Sequence, residues 1–249
     1  MSVRTQTRTT TAAGDPVPDN LWKITSDTGP LPIPPVSNLY LYDDFTGSDY
    51  TLTDGQKSPN GKWLSNYNGF GAKGVTGGVF HQAPKGSTTV SETHASLTTS
   101  TQSYGDFEVT WRMKTVKQLR TGSAPNSWEA AWMFWHFTDN WHNYVLVLKT
   151  SGFQIEKKDN NTKSDTEIYL QTPKIPKVKL GQWQALKLRV TNSTSNTPRI
   201  QVWVDGIAAA DFVDNSIHQP NSPALAHGVM GLYCEDSEVN FDDVAITAL

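Results

Sequence analysis

Between Trp128 and Lys149 the chain reads WEAAWMFWHFTDNWHNYVLVLK, and this stretch most limits what it can fold into. With period 2, Glu129, Ala131, Met133, Trp135 and Phe137 fall on one side, and Ala130, Trp132, Phe134 and His136 on the other. Neither side is polar, which predicts a central strand with material packed on both faces. Thr138, Asp139 and Asn140 supply turn chemistry, and Tyr144–Leu148 follows as a second strand, so the segment reads as a hairpin. Four of the nine tryptophans lie between Trp128 and Trp141. Indoles at this density either fill a sheet-on-sheet core or wall a ligand site, and the sequence leaves both open.

The flanking chain supports the same class. In YGDFEVTWRMKT, Phe107, Val109, Trp111 and Met113 alternate with Glu108, Thr110, Arg112 and Lys114, the pattern of a half-buried strand. Further short strands are expected at LYLYDDF, KWLSNY, VFHQ, HASLTT, GFQIEKK, TEIYLQT, QWQALKLRVTN, RIQVWVDG, AAADFVD, HGVMGLYCED and SEVNFDDVAIT. Asp205-Gly206 marks a tight turn between two of them. Helical periodicity is absent over any useful length. The expectation is an all-β, two-sheet antiparallel jelly-roll sandwich over residues 38–249. Residues 1–37 are rich in Thr, Pro and Ala, end in GPLPIPPVS, and read as an extended N-terminal arm.

Charge and composition narrow the partners. A net charge of -3 without a basic block argues against nucleic acid. No apolar run approaches the roughly 20 residues needed to span a bilayer. The start, MSVRTQTRTTTAAGDPVP, has no apolar core and does not read as a secretory signal. Cys234 is the single cysteine, which excludes a disulfide framework and a cysteine-rich zinc site.

The order of these motifs, from the early DDF strand through QVWVDGIAAADF to the closing GLYCEDSEVNFDDVAI, resembles the concanavalin A-like lectin/glucanase superfamily. The closing strands are similar to laminin-G-like and family-16-glycosidase-like domains. The block DGQKSPNGKWLSNYNGFGAKGV also resembles jelly-roll proteins of actinobacteria and of their phage tails. The resemblance implies the fold and leaves function open, because this architecture hosts lectins, hydrolases, lyases and structural modules.

Against that background four kinds of site come into view. A retaining glycosidase needs two carboxyls about 5–5.5 Å apart. The family-16-like pattern, Glu-x-Asp-x-(x)-Glu on one strand, is missing, since Glu129 is followed only by Ala, Trp, Met, Phe and His to Phe137. A polysaccharide lyase needs a cation to neutralise a uronate and a base for the proton beside it; Arg112, His136 and Tyr144, with His142 nearby, are the candidates. The lyase motifs Arg-Ser-Glu and Gln-Ile-His, which known jelly-roll lyases carry, are absent, and a solvated Arg112 with turn-flanking histidines is the plainer reading. Glycan binding without catalysis asks for stacking faces and polar anchors: Trp128, Trp135, Trp141, His142, Tyr144 and Arg112, with Glu108 or Glu129 as acceptors. The superfamily resemblance also implies a structural calcium ion between the first and last strands, held by Asp44 and Asp243 within the pairs Asp43-Asp44 and Asp242-Asp243. Alternatively these are solvated carboxylates that discourage edge pairing. The six histidines show no zinc spacing.

The expectation drawn from these observations is a non-enzymatic jelly-roll module of a larger assembly, a phage virion or tail protein that touches cell-surface glycans. It requires no cofactor, sits in a virion or outside cells without a classical signal, and joins neighbouring subunits through residues 1–37 as an oligomer. The alternatives are a polysaccharide-active enzyme, a lyase before a glycosidase, and a stand-alone lectin.

Overall fold

Period-2 segments of the sequence become strands of two stacked antiparallel sheets in the computed structural model, which describes residues 31, 38–159, 167–192, 197–215 and 225–249. In chain order the strands are β1 Leu39–Asp43, β2 Tyr50–Thr51, β3 Trp63–Tyr67, β4 Ala72–Thr76, β5 Val79–Ala83, β6 Ala95–Tyr104, β7 Phe107–Gln118 and β8 Ala131–Asp139. They continue as β9 His142–Lys149, β10 Gly152–Asp159, β11 Ile168–Gln171, β12 Gln184–Thr191, β13 Arg199–Val204, β14 Ile207–Val213, β15 Gly228–Glu235 and β16 Ser237–Ala248. One sheet has nine strands, in the order β14-β13-β12-β7-β16-β5-β4-β2, with β1 also pairing with β16. The other has seven, in the order β11-β10-β9-β8-β15-β6-β3. This is the two-sheet jelly roll that the alternation predicts. Among the described residues no helix is long and apolar enough to cross a membrane.

Every strand read from the sequence is present, and two others are not visible in it. Tyr50–Thr51 is too short to show a period, and Ala72–Thr76 lies in a glycine-rich run that hides its alternation. The core lies between the sheets, where Trp111, Leu186, Leu188, Val202 and Phe241 of the larger sheet meet Met133, Trp135, Leu146, Leu148 and Ile155 of the smaller. Such interdigitated aliphatic and aromatic side chains bury most of the apolar surface, at roughly 25 cal/mol per Å².

The hairpin at the centre of the smaller sheet follows the sequence pattern until His136. Ala131, Met133 and Trp135 face the core, while Trp132 and Phe134 face outward. At His136 the backbone turns to φ 47° and the β8–β9 register slips between Trp135 and Asp139. Phe137 therefore joins the outer cluster and not the core, as strict alternation predicts. Gly228 on the neighbouring β15 passes so close that an added Cβ would stand 2.3 Å from the His136 carbonyl carbon.

The last strand organises the larger sheet. β16 pairs with β7 along its length, while its opposite edge pairs with β5 at Val239–Phe241 and with β1 at Val244–Thr247. The change of partner falls at Asp242–Asp243, where the register slips and Asp243 takes φ 52°. Leu31 is docked here: it is 4% exposed, and its N–H donates to Asp243 Oδ2 at 2.7 Å. The rest of the expected arm, and with it the docking on a neighbouring subunit, lies outside the described residues.

Candidate functional site

The outward face of the seven-stranded sheet is the floor of a groove of about 800 Å³. Two cross-strand rows build it. One runs through Tyr67, Leu97, Tyr233, Trp132, Val147 and Gln154, each paired with the next. The other runs through Phe134, Val145, Glu156 and Tyr169. Period 2 along each strand sets the composition: β10 sends Phe153 and Ile155 inward and Gln154, Glu156 and Lys158 to the groove.

The rings of the floor are interlocked. Phe134 stacks on Tyr233 with centroids 4.7 Å apart, and Trp132 meets Tyr233 edge-on at 5.2 Å. Trp128 at 40% exposure and Tyr169 at 55% stand at the rim. The Trp132 Nε1–H donates to the Trp128 carbonyl at 2.7 Å, tying that rim to the floor. Behind it, a buried Arg120 guanidinium binds Glu129 at 2.5 Å and Asp236 at 2.8 Å, and donates to the carbonyls of Thr89 and Glu92. The loop from 119 to 130 and the loop from 84 to 94 are thereby joined into one fixed wall, whose groove side carries Thr93, Ser127 and Trp128.

The polar side of the groove holds three carboxyls, Glu156, Glu167 and Glu235, with Lys149 and Lys158. Lys149 Nζ donates to Gln154 Oε1, and Gln154 Nε2 donates to Glu156 Oε2. Tyr233 donates its hydroxyl hydrogen to Glu235 at 2.6 Å, and Tyr169 to Glu167 at 2.9 Å. Lys158 lies 3.6 Å from Glu167. Burial pushes the Glu156 carboxyl up to about 7, with the Glu167 charge adding to it. Burial also raises Glu235, and again Glu167 adds. A carboxyl poised near neutrality beside a stacking floor can give or take a proton on a bound ring.

Most residues singled out from the sequence lie elsewhere. Of the expected glycan contacts, Trp128 lines the groove. Trp135 is a correction: it is fully buried between the sheets and stacks on Tyr144 at 5.2 Å, because the hairpin's other face is the one turned outward. Glu129 is a second, fully buried and spent on Arg120. Trp141 and His142 sit half-buried at the β8–β9 turn, where His142 Nδ1 is 2.9 Å from Asp139.

The lyase trio is not assembled. Arg112 is on the outer face of the opposite sheet, paired with Asp242 and, at 2.6 Å, with Asp243, and its guanidinium lies 4.9 Å from the Trp183 ring centre. His136 and Tyr144 are inside the sandwich. Both ring nitrogens of His136 meet backbone carbonyls, of Leu225 at 2.7 Å and Gly105 at 2.9 Å. Tyr144 donates to Asp214 Oδ2 at 2.5 Å, which also binds Lys157 at 2.7 Å.

The first and last strands do approach each other, as the calcium expectation requires. Asp243 is taken by Arg112 and the Leu31 N–H, while Asp44 accepts from the Thr46 hydroxyl at 2.8 Å. Among the described residues no group of three or more His, Cys, Asp or Glu side chains is placed to hold a metal ion. Glu156 and Tyr233 are not picked out by the sequence reading. The alternation of Gln154, Glu156 and Lys158 against Phe153 and Ile155 was the signal for the first.

Residues 51–247 match the profile of a family described as 3-keto-alpha-glucoside-1,2-lyase-like domain. No curated protein matches the sequence. Among solved structures, the carbohydrate-binding module CBM66 from Bacillus subtilis is 15% identical, with a TM-score of 0.55 over 75% of this chain and 96% of that one. LamAcat from Zobellia galactanivorans is 13% identical, with a TM-score of 0.51 over 85% and 98%. An alginate lyase, Aly36B, solved with an alginate trisaccharide, is 10% identical, with a TM-score of 0.50 over 84% and 98%. These likenesses establish the jelly-roll fold.

Proposed function

The chain belongs to the 3-keto-alpha-glucoside-1,2-lyase-like domain family, and on that premise we propose that its groove binds a glucoside oxidised at C3 and eliminates the C1 substituent. The observation that carries this is Glu156, a carboxyl held near neutral protonation by burial in a groove floored with Trp132, Phe134 and Tyr233. In a 3-keto-glucoside the C2 hydrogen is adjacent to the carbonyl and correspondingly acidic. A carboxylate takes that proton, the electron pair forms the C1=C2 bond, and the C1–O bond breaks. The departing oxygen receives a proton from a second acid. Glu156 and Glu235 are the two carboxyls we assign to these transfers, and the aromatic floor holds the apolar face of the ring.

A non-catalytic module that displays the same groove on a virion is the competing reading. A groove for display alone has no need of a buried carboxyl raised to about 7, with a second raised by burial beside it, and this favours turnover. A sugar-directed activity also suits an extracellular setting. The deciding experiment mixes the protein with methyl 3-keto-α-glucoside and follows the ultraviolet absorbance of the conjugated C1=C2–C3=O product. Absorbance that rises with the intact chain and fails to rise with Glu156→Gln and Glu235→Gln is the expected result. No product from this substrate or from a polysaccharide panel, together with glycan binding, would return the protein to the non-catalytic reading.

A further inference from the structure

Outside the groove lining, one ring is exposed in a way that packing does not account for. Phe70 is 82% exposed, the most exposed large apolar side chain among the described residues. It also adopts φ 60°, a left-handed conformation that glycine and asparagine enter easily and an aromatic residue does not. The turn around it is tightly built. The Phe70 N–H donates to Asn68 Oδ1 at 3.0 Å, and the Lys85 N–H to the Gly69 carbonyl at 2.9 Å. A Cβ on Gly69 would fall 2.4 Å from the Ala95 carbonyl oxygen, and one on Gly71 1.9 Å from that of Ala83, so neither position tolerates a side chain. The phenyl ring is propped edge-on against His94, with centroids 5.4 Å apart.

The turn's position gives this a use. It follows directly on Tyr67, and His94 stands between Thr93 and Ala95; all three of those neighbours line the groove. Phe70 therefore adjoins the β3 end of the seven-stranded sheet, opposite the Tyr169 end on β11. Six strand spacings separate these ends, about 29 Å, more than one sugar ring covers. We infer that Phe70 forms an outer subsite that stacks on a sugar residue beyond those held on the Trp132–Tyr233 floor, so that the natural ligand is an oligosaccharide or a glycoside with a sugar aglycone. The inference rests on the groove being the sugar site.

Affinities of the full chain for methyl α-glucoside and for gluco-oligosaccharides of two to five residues, measured by calorimetry or ligand-observed NMR, test it. Phe70→Asn, which suits the left-handed backbone, and Phe70→Ala are compared with the unaltered chain. The expected result is a loss of about three- to tenfold for the longer ligands, with the monosaccharide unchanged. Phe70→Trp is expected to keep the long-ligand advantage. Affinities for all lengths that both small substitutions leave unchanged would overturn the subsite while leaving the groove in place. Absence of binding by the unaltered chain at every length would overturn the groove reading itself, and this inference with it.

Discussion

The Arg120 guanidinium and the Asp236 carboxylate meet at 2.8 Å in the protein interior, joining the loop before β8 to the turn before the last strand. Asp236 also accepts from the Ser87 N–H at 2.8 Å and the Ser87 hydroxyl at 2.7 Å, so three loops share one charge pair. Removing only the cation leaves Glu129 and Asp236 buried and uncompensated. Arg120→Met is expected to cost about 3–5 kcal/mol, read by urea unfolding, and to free Trp128 at the rim. A cost below 1 kcal/mol would show that the loops hold together without it.

Trp132 and Trp135 are three residues apart and predict opposite phenotypes. Trp135→Ala empties a fully buried site and should cost about 3–5 kcal/mol. Trp132→Ala should cost less, because its ring borders the groove, while abolishing sugar binding. Unfolding curves beside binding isotherms separate the two; equal effects of both substitutions on binding would contradict the assignment of faces.

Glu156 makes stability depend on pH in a stated direction. Its carboxyl is raised to about 7 in the folded chain from 4.5, so the folded state holds the proton more tightly. Its contribution is present in full below about pH 4.5 and is lost as pH rises through about 7, a difference of about 3 kcal/mol at most. Glu156→Gln should flatten this slope in denaturant titrations between pH 4.5 and 7. If ionised Glu156 takes the C2 proton, the turnover rate of the intact chain should rise over the same range.

Asp214 receives both Tyr144 and Lys157 in the interior. Asp214→Ala strands the Lys157 ammonium and is expected to destabilise by about 3–5 kcal/mol. The double change Asp214→Leu with Lys157→Met should recover much of that loss in the same urea titration, because no unpaired charge remains.

The strands were legible wherever apolar residues alternate strictly, as at Phe107–Met113. They were not legible at Ala72–Thr76, where glycines carry no pattern. The aromatic hairpin was legible as a central strand, but both its faces are apolar, so the periodicity could not say which one meets the other sheet. Trp135 is therefore grouped with Trp128 as a ligand contact on sequence grounds, whereas Trp132 is the ring that faces the groove. The sequence allows Arg112, on the polar face of its strand, to converge with His136 and Tyr144 on one sheet; the topology sends Arg112 to the opposite sheet. Glu156 stayed hidden because Lys157, beside it, is also charged yet points inward to Asp214, which blurs the alternation of β10.

β15 lies between β8 and β6, and β16 between β7 and the pair β5 and β1. Residues 228–248 are thus the seam of both sheets. While they are still inside the ribosome, the nascent chain can form only separate sheet fragments with open edges, β7-β12-β13-β14 and β8-β9-β10-β11 among them. Joining of these fragments follows synthesis of β15 and β16, and a chaperone that shields strand edges would have its greatest effect in that interval.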